Sequence, residues 1–439
     1  MKKHFNLTNI AVCALACAGM LTSCAGGKKS AEAPYAIKTF EDNPYLAEVW
    51  IGNDYDESVA LETLCKRYND NSAAADTTQA SEGGACSSWH KDNFHGRNID
   101  WTMKDFATVI VHMPKNVEKG IKYASVGLIA GNPAFTKDFI HNTTEIPENL
   151  RTLLPATVVD GMNECGVAIN HNIVPYDGKA YEKNGELPSL MLCRYVLDHF
   201  ATAEEAVEGL RDMTVTQAVV KIGNDYSHFM ISDPTSTYVV EWIDGQFTAT
   251  EFKADGNGNY ISAAGEPAVM TNYFVGMAEK DGLATPAFYR EHPVAEGVER
   301  AQIIMDQLPE AKTLEDHINI CKSVWYSQFC KGQTQWYTEN SGNCGIDEAT
   351  GKAYWWYPTK ENIHWMDNDD VLGAEKAMMD SPEMQGYYND FNTNWNKCDP
   401  DNTYWYTQHS VVYDLKALKG YIIMQEGICN DKPVEITVE

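Results

Sequence analysis

The sequence predicts a layered α+β fold, because paired strands are followed by a pair of helices and then by further strand pairs. The strand predicted for 167–173 precedes two helices, predicted for 187–199 and 202–212, and strands resume at 228–232. The chain has 439 residues, of which 44% are hydrophobic and 11% aromatic. This is enough apolar material for a large core. The order of elements favours stacked sheets with helices over a doubly wound parallel sheet.

The individual elements follow from period-2 or helical hydrophobic patterns bounded by turn residues. Thr202, with Glu205 three residues later, predicts a helix start by a capping box. The predicted strands are 45–51, 108–113, 123–130, 167–173, 218–222, 228–232, 238–243, 247–252, 269–272, 404–413 and 420–424. The predicted helices are 58–68, 187–199, 202–212, 297–308 and 314–325.

The charge balance excludes one class of partner. The formal net charge is -28. Contact with nucleic-acid phosphates requires clustered Lys and Arg, and an acidic surface also disfavours adsorption to anionic membranes. The charge therefore argues against a nucleic-acid partner and indicates a solvated acidic surface that keeps a secreted protein soluble.

The N-terminal residues have the pattern of an export signal. Lys2 and Lys3 precede an apolar stretch at Ile10–Met20, which ends in Leu21-Thr22-Ser23-Cys24. The last tetrad resembles a bacterial lipobox, which places a lipid on Cys24 and the protein in the periplasm or at the outer membrane. An ordinary signal peptide with an incidental cysteine is the alternative.

Nine cysteines lie from Cys65 onward, at scattered spacings and with no C-x-x-C pair. This pattern argues against a zinc site, and we expect neither a metal nor a cofactor. Export permits disulfides, but an odd number leaves at least one thiol unpaired. Cys86 is the candidate for that free thiol.

The chain divides into a signal peptide (1–24), a prosegment with linker (25–85) and a catalytic domain (86–439). Residues 69–84 are rich in Ser, Ala, Thr, Gly, Asn and Asp and predict a linker. A linker that ends directly before Cys86 is typical of a cleavable prosegment, although an ordinary loop has the same composition. Residues 334–398 have the pattern of an insertion.

The stretch from Gly83 to Trp101 carries the candidate chemistry. Strand-like residues after Cys86, a polar turn at 90–93 and a returning strand predict a hairpin that brings Arg97 and Asp100 beside Cys86. A guanidinium near a thiol favours the thiolate. A carboxylate can hold an amine, and that amine can be the α-amine of Cys86 itself. Arg97 and Asp100 could also form an ordinary ion pair.

These residues carry a family resemblance. Cys86, the run Gly96-Arg97-Asn98-Ile99-Asp100 and the run Asp160-Gly161-Met162-Asn163-Glu164 with Gly166 resemble the choloylglycine hydrolase family. The likeness continues through further landmarks in the same order, His228–Asp233 with Val239–Glu241, Thr271-Asn272, Arg300, and Trp405–Thr407 with Val412–Leu415. It spans about four-fifths of the chain.

The resemblance implies a four-layer αββα sandwich of N-terminal-nucleophile (Ntn) hydrolases, a class that includes bile salt hydrolases and penicillin V acylases. It implies cleavage after Ala85, Cys86 as the nucleophile, Arg97 beside its sulfur and Asp100 holding its amine. Asn272 is implied as the oxyanion donor, Arg300 as a second arginine, and Asn172 at the oxyanion hole, where Asn170 is the alternative.

Substrate and assembly stay open at this stage. The Cys86 to Arg97 spacing is shorter than in bile salt hydrolases, and the insertion adds residues that those enzymes lack. We expect a hydrophobic acyl group on a small amine, with conjugated bile salts first and penicillin V or other N-acyl amines as alternatives. A retained prosegment and a homo-oligomer are both compatible with the sequence.

Two other classes of protein remain as alternatives. A lipid-anchored binding protein without turnover would share the fold. A papain-like protease is suggested by Cys86 with His90, His95 or His228, but its signature has a Trp directly after the Cys, and here two serines intervene.

Overall fold

The structure, a computed structural model, describes residues 35–41, 43–72, 85–101, 107–130, 135–175, 185–216, 225–243, 245–276, 298–325, 345–346, 353–354, 356–357, 364–365, 406–424 and 432–438. The predicted signal peptide, Cys24, residues 73–84 of the predicted linker and the predicted strand 218–222 lie outside these residues. So does most of the predicted insertion, with Cys344 and Cys398, and so do Cys330 and Cys429.

The strands are β1 (Ile37–Phe40), β2 (Asn43–Trp50), β3 (Ala85–Lys91), β4 (Phe94–Trp101), β5 (Thr108–Met113), β6 (Ser125–Ile129), β7 (Asp160–Asn163), β8 (Ala168–Pro175), β9 (Leu187–Pro188), β10 (Val215–Thr216), β11 (Asp225–Ser232), β12 (Ser236–Ile243), β13 (Gln246–Ala254), β14 (Tyr260–Ile261), β15 (Val269–Met270), β16 (Gly345–Ile346), β17 (Ala353–Tyr354), β18 (Trp356–Tyr357), β19 (His364–Trp365), β20 (Tyr406–Asp414), β21 (Lys419–Met424) and β22 (Val434–Thr437).

The α-helices are α1 (Glu57–Ser72), α2 (Lys137–Asn142), α3 (Glu148–Arg151), α4 (Leu153–Ala156), α5 (Leu192–His199), α6 (Ala203–Arg211), α7 (Val298–Gln307) and α8 (Leu314–Ser323). Short 3-10 helices occupy Val117–Lys119, Ser189–Met191 and Leu308–Glu310. Thr202 caps α6 by accepting the Glu205 N–H, as its position predicts. Thr313 and Asp316 form a complete capping box at α8.

Two sheets dominate the fold. The ten-stranded sheet has the order β1-β2-β5-β6-β7-β8-β11-β12-β13-β14, and all its pairs are antiparallel except β2 with β5. The six-stranded sheet has the order β15-β3-β4-β20-β21-β22 and is antiparallel throughout. Sheets of this kind bury a face on each partner layer.

The two sheets stack, and helices cover their outer faces. Helices α5 and α6 pack on the ten-stranded sheet, while α7 and α8 pack on the six-stranded sheet. Between the sheets, β3 and β4 lie against β8. Leu46 and Ile110 of one sheet share a core with Val411 and Ile422 of the other. The predicted four-layer αββα sandwich is confirmed.

Two described stretches before Cys86, residues 35–41 and 43–72, are part of this same fold. β1 and β2 lie at one end of the ten-stranded sheet, and α1 packs against α4. These two stretches therefore pack together with elements that follow Cys86. The pairing of β2 with β5 skips over the whole β3–β4 hairpin, which hydrophobic period alone does not reveal.

The predicted helices and strands that fall within the described residues agree in type with the structure, apart from the first part of one helix. The helix predicted for 187–199 begins as strand β9 and a 3-10 turn, and α5 starts only at Leu192. Pro188 favours an extended backbone at Leu187, and both residues pair in parallel with Val215 and Thr216 of β10.

Candidate active site

Cys86 lies in β3 at the inner face of the six-stranded sheet. It pairs with Ile99 of β4 and is 3% exposed. Its apolar neighbours are Ile99, Ala130 and Val159. The thiol is therefore buried between the two sheets.

Strand alternation divides the hairpin residues between two faces. Ser88 shares the inner face with Cys86, and its hydroxyl donates to Asn172 Oδ1 at 3.3 Å. Ser87 points to the helix face, where it accepts from Arg300 at 3.0 Å. Arg97 and Asp100 are three residues apart in β4, so they also lie on opposite faces. They do not form the simple pair that their proximity in sequence suggests.

On the inner face, Arg97 is bonded to Asp160 of β7. The guanidinium donates to the Asp160 carboxylate and to the backbone carbonyls of Val159 (3.2 Å) and His171 (2.8 Å). The same carboxylate accepts the Tyr413 hydroxyl at 2.7 Å and lies 3.1 Å from His409 Nε2.

The electrostatics of this group agree with its bonding. Burial alone would raise the pKa of Asp160, but Arg97, His409 and Tyr413 outweigh it and hold the pKa at about 2. Burial opposes the charge of Arg97, but Asp160 more than compensates and raises the pKa of the guanidinium. The fixed charge beside Cys86 is therefore itself held by a fully buried counterion.

On the helix face, Arg300 of α7 holds the backbone of Cys86. Its Nη1 donates to the Cys86 carbonyl at 2.5 Å, and its Nη2 donates to Asn272 Oδ1 at 2.6 Å. Asn272 Oδ1 also accepts the Cys86 N–H at 2.9 Å. The peptide nitrogen and carbonyl oxygen of Cys86 are thus both bonded to site residues.

Asp100 is next to this group. It pairs with Ala85 across the ladder, and its carboxylate lies 3.8 Å from Arg300 Nη1. Thr407 donates its hydroxyl to Asp100 Oδ1 at 2.5 Å. The negative charge of Asp100 therefore lies beside the Ala85–Cys86 peptide, on the face opposite to Arg97.

The turn that carries Asn272 is bonded on both sides. His228 Nε2 donates to the Thr271 carbonyl at 2.9 Å, and His228 Nδ1 lies 2.9 Å from Glu241 Oε1. Glu241 also accepts the backbone N–H groups of Val275 (2.8 Å) and Gly276 (2.9 Å). The buried His228–Glu241 pair thus fixes the turn before and after Asn272.

Asn172 contributes to the same turn. Its Nδ2 donates to the carbonyls of Met270 and Thr271, both at 3.1 Å, while its Oδ1 accepts from Asn170 at 3.0 Å. Asn170 in turn donates to Ser88 at 2.7 Å. Within the described residues, neither asparagine is hydrogen-bonded to Cys86. The structure thus brings together five of the predicted site residues, namely Cys86, Arg97, Asp100, Asn272 and Arg300. Asn172 instead contacts the backbone of the turn that carries Asn272.

Burial raises the pKa of the Cys86 thiol. Arg97 lowers it, the Asp100 charge raises it, and a hydrogen bond from the Asp100 backbone and the charge of Arg300 lower it again. Burial dominates, so the thiol stays protonated at neutral pH, and any reaction through its sulfur would need a base.

Three histidines, His90, His95 and His228, were candidates for a papain-like pair with Cys86. His90 is bonded to Thr237, His95 to Ser232 and Asn170, and His228 to Glu241 and Thr271. The three candidates for a papain-like pair are therefore each bonded to partners other than Cys86.

The cysteines in the described ranges form neither disulfides nor a metal site. Cys65, Cys86, Cys165, Cys193 and Cys321, the cysteines in the described ranges, are all free thiols. Over the same ranges, no three His, Cys, Asp or Glu side chains cluster as metal ligands. No helix in the described residues has both the length and the apolar character to cross a membrane.

Comparison with known families agrees with this geometry. The sequence model of linear amide C-N hydrolases, choloylglycine hydrolase family, matches residues 86–248. The predicted resemblance is confirmed over this segment, which begins at Cys86. The matched family comprises hydrolases of linear amides.

Similar solved structures include a mutant of the conjugated bile acid hydrolase from Clostridium perfringens. It is 15% identical, with 81% of this chain and 92% of that chain covered and a TM-score of 0.37. Penicillin V acylase from Agrobacterium tumefaciens is 16% identical, with 78% and 82% covered and a TM-score of 0.35. No curated protein matches the chain.

Sequence reasoning gave no role to four residues of the site, namely Asp160, Glu241, Thr407 and His409, and considered His228 only for a papain-like pair. Asp160, His228, Glu241 and Thr407 do lie within the runs that carry the family resemblance. A signal was therefore present, but the pattern does not say which side chains they contact.

Proposed function

We propose that this protein is a cysteine Ntn-hydrolase, which cleaves linear amides with Cys86 after the Ala85–Cys86 bond has been cut. The observation that carries the proposal is that both polar backbone groups of Cys86 are hydrogen-bonded to site residues. Its N–H donates to Asn272, and its carbonyl accepts from Arg300. A cysteine that served only through its sulfur would not need its nitrogen in the site. The match of residues 86–248 to an amide hydrolase family supports the same reaction.

Maturation follows as an internal acyl transfer. The Cys86 thiol adds to the Ala85 carbonyl carbon, the Ala85–Cys86 C–N bond breaks, and the Cys86 nitrogen takes up the proton. The resulting thioester is hydrolysed by water, which leaves a carboxylate on Ala85 and a free thiol and amine on Cys86. Without this cut the nitrogen remains an amide, which is no base.

Turnover repeats this chemistry on a substrate. The α-amine, with an ordinary pKa of about 7.7–8, takes the thiol proton, and the sulfur adds to the substrate carbonyl. Asn272 Nδ2 donates one N–H to the Ile173 carbonyl at 2.7 Å, and its second N–H, with one backbone N–H, stabilises the oxyanion, typically by about 2.7–4 kcal/mol per donor. The Cys86 ammonium then gives its proton to the leaving amine, and water hydrolyses the thioester to the acid and the free thiol.

The other residues set the charges around this step. Arg97 and Arg300 lower the pKa of the Cys86 thiol, and Asp100 is placed to hold the new ammonium. Asn172, expected at the oxyanion hole, acts in our proposal by holding the Asn272 turn. The substrate we propose is a hydrophobic acyl group on a small amine, with conjugated bile salts as the first candidates.

The N-terminal sequence and intact mass of the purified protein test the proposal. We expect a chain that begins at Cys86 in the wild type and an uncut chain in Cys86→Ala. Cys165→Ala, which removes an exposed free thiol, serves as the matched control and should be cut normally. A wild-type chain still joined through Ala85–Cys86 would contradict the mechanism.

Substrate class is then read from amine release with conjugated bile salts, penicillin V and an N-acyl homoserine lactone. Hydrolysis by the wild type and Cys165→Ala, but not by Cys86→Ala, is the expected result. A processed protein that binds these compounds without releasing amine would instead indicate a binding protein on the same fold.

A further inference from the structure

Residues 35–72, here called the N-terminal segment, complete the ten-stranded sheet. β2 pairs in parallel with β5 through five residue pairs, from Leu46 with Thr108 to Trp50 with His112. Every residue of β5 is buried. Removal of β2 would leave an entirely buried strand as an open edge, a configuration that folded proteins avoid.

The segment contributes to two separate cores. Leu46 packs between the two sheets with Val411 and Ile422. Val49, on the opposite face of β2, packs under the helices with Val109, and Tyr55 and Leu64 join the same core. Its apolar side chains are thus shared with both sides of the sheet and do not form a core of their own.

Polar contacts fasten the segment at several further points. Glu48 lies 2.8 Å from His112 Nε2, and Glu57 lies 2.8 Å from His199 Nε2. Backbone bonds join Ile51 N–H to the His112 carbonyl (2.9 Å) and Ile146 N–H to the Tyr35 carbonyl (2.8 Å). These groups would lose their partners if the segment left.

The segment also connects to the candidate active site. Thr108, the β5 partner of Leu46, has its hydroxyl 3.0 Å from His409 Nδ1. His409 is bonded through its other nitrogen to Asp160, the counterion of Arg97. Loss of β2 would therefore leave β5 unpaired along one edge, and β5 carries Thr108, the first residue in this series of hydrogen bonds.

We propose that the N-terminal segment stays bound after cleavage, so that the mature enzyme consists of two non-covalently associated chains. The proposal rests on the proposed function, because self-cleavage at Ala85–Cys86 is what creates the two chains. Where Cys24 carries a lipid, the retained segment then anchors the catalytic chain to the membrane.

Native size-exclusion chromatography with intact-mass analysis of the processed protein is the first measurement. We expect both chains in one peak at a 1:1 ratio, and still together in about 1 M NaCl, because most of the contact is apolar. A folded catalytic chain that elutes without the segment would overturn the proposal.

A second arm does not depend on self-cleavage. A site for a sequence-specific protease is inserted between residues 72 and 85 of Cys86→Ala, and the purified protein is nicked there. Co-elution of the two pieces supports retention, and separation overturns it. If the wild type is never cut, the proposed function fails in the first arm while this arm still decides retention.

A matched pair of substitutions tests whether the packing in the structure holds the chains together. Val49 is fully buried and Val59 is 48% exposed, so Val49→Asp and Val59→Asp make the same change in two environments. In the nicked protein we expect Val49→Asp to weaken association at least 100-fold and Val59→Asp to leave it unchanged. Equal retention in both variants would contradict the proposed interface. If Val49→Asp does not fold, co-elution or separation of the two pieces of nicked Cys86→Ala alone decides whether the N-terminal segment is retained.

Discussion

Replacement of Asp160 by Asn should be among the most destabilising single changes in the chain. The carboxylate is fully buried and is bonded to Arg97, Tyr413 and His409. Asparagine has nearly the same volume, so the change opens no cavity. It removes the only charge within this group that balances Arg97 and turns one acceptor oxygen into an N–H donor that faces other donors.

The magnitude can be worked out in two ways. Removal of one partner of a buried ion pair costs about 3–5 kcal/mol. The displacement of the Asp160 pKa from 3.8 to about 2 corresponds to about 2.5 kcal/mol at neutral pH. Because the folded pKa is lowered, this stability is present above pH 3.8 and is lost as pH falls towards 2. The effect of Asp160→Asn should therefore be full at pH 7.

Urea unfolding at pH 7 measures the effect. With a slope of about 3 kcal/mol per M, a loss of 3–5 kcal/mol lowers the midpoint by about 1–2 M. The control is Glu208→Gln, which breaks the exposed pair with Arg211 and should not move the midpoint. An unchanged midpoint in Asp160→Asn would refute the view that Arg97 depends on a buried counterion.

Three further predictions concern acid stability and the turn of Asn272. Burial lowers the pKa of His317 to about 4. Between pH 6.5 and 4, His317→Gln should therefore lose about 1.4 kcal/mol less of its unfolding free energy per pH unit than the wild type. An unchanged slope of the urea midpoint against pH would contradict this. Asn272→Ala should lower kcat about 10²–10³-fold in steady-state kinetics, and a loss confined to KM would exclude an oxyanion role. Glu241→Gln should lower kcat at least tenfold with KM nearly constant, because it loosens the Asn272 turn without touching substrate; a raised KM at constant kcat would argue against positioning.

The sign of the acid prediction follows from where the protons bind. Burial lowers the pKa of His90, His95 and His317 in the folded state, so the unfolded chain binds protons more readily below pH 6.5. Stability is therefore full above the unfolded pKa and declines as pH falls towards the folded values. Trp89 Nε1 donates to His317 Nδ1 at 3.0 Å, a bond that requires the neutral ring. Glutamine at this position keeps an acceptor without the proton site.

The sequence predicted element types well, because strand and helix periods are local properties. The six-residue strand Thr108–Met113 and the cap of α6 at Thr202 both agree with the structure. The separation of Arg97 from Asp100 was also readable in principle, since an odd spacing in a strand puts two side chains on opposite faces. The ion-pair partner of Arg97 could not be predicted in this way, because Asp160 lies 63 positions further along the chain.

The contacts of the N-terminal segment and of Asn172 could not be predicted from the sequence for a similar reason. Both depend on pairings between distant strands, β2 with β5 and β8 with the turn after β15. A pattern of residues can show that Leu46 and Val49 need to be buried, but the strand that buries them lies beyond the β3–β4 hairpin. The burial of these residues depends on which distant strands pair, and neither composition nor hydrophobic period predicts that pairing.

The arrangement around Cys86 also bears on why cleavage and catalysis can use one site. In the uncut chain Asn272 Oδ1 already accepts the Cys86 N–H, and Arg300 bridges Asn272 to the Cys86 carbonyl. In the proposed reaction, the cut adds protons to this one nitrogen and leaves its acceptor in place. The new ammonium needs a negative charge, and Asp100 already lies across the ladder from Ala85. The fold therefore assembles the site around the intact Ala85–Cys86 peptide, and the maturation that we propose would remove one peptide bond without rebuilding its surroundings.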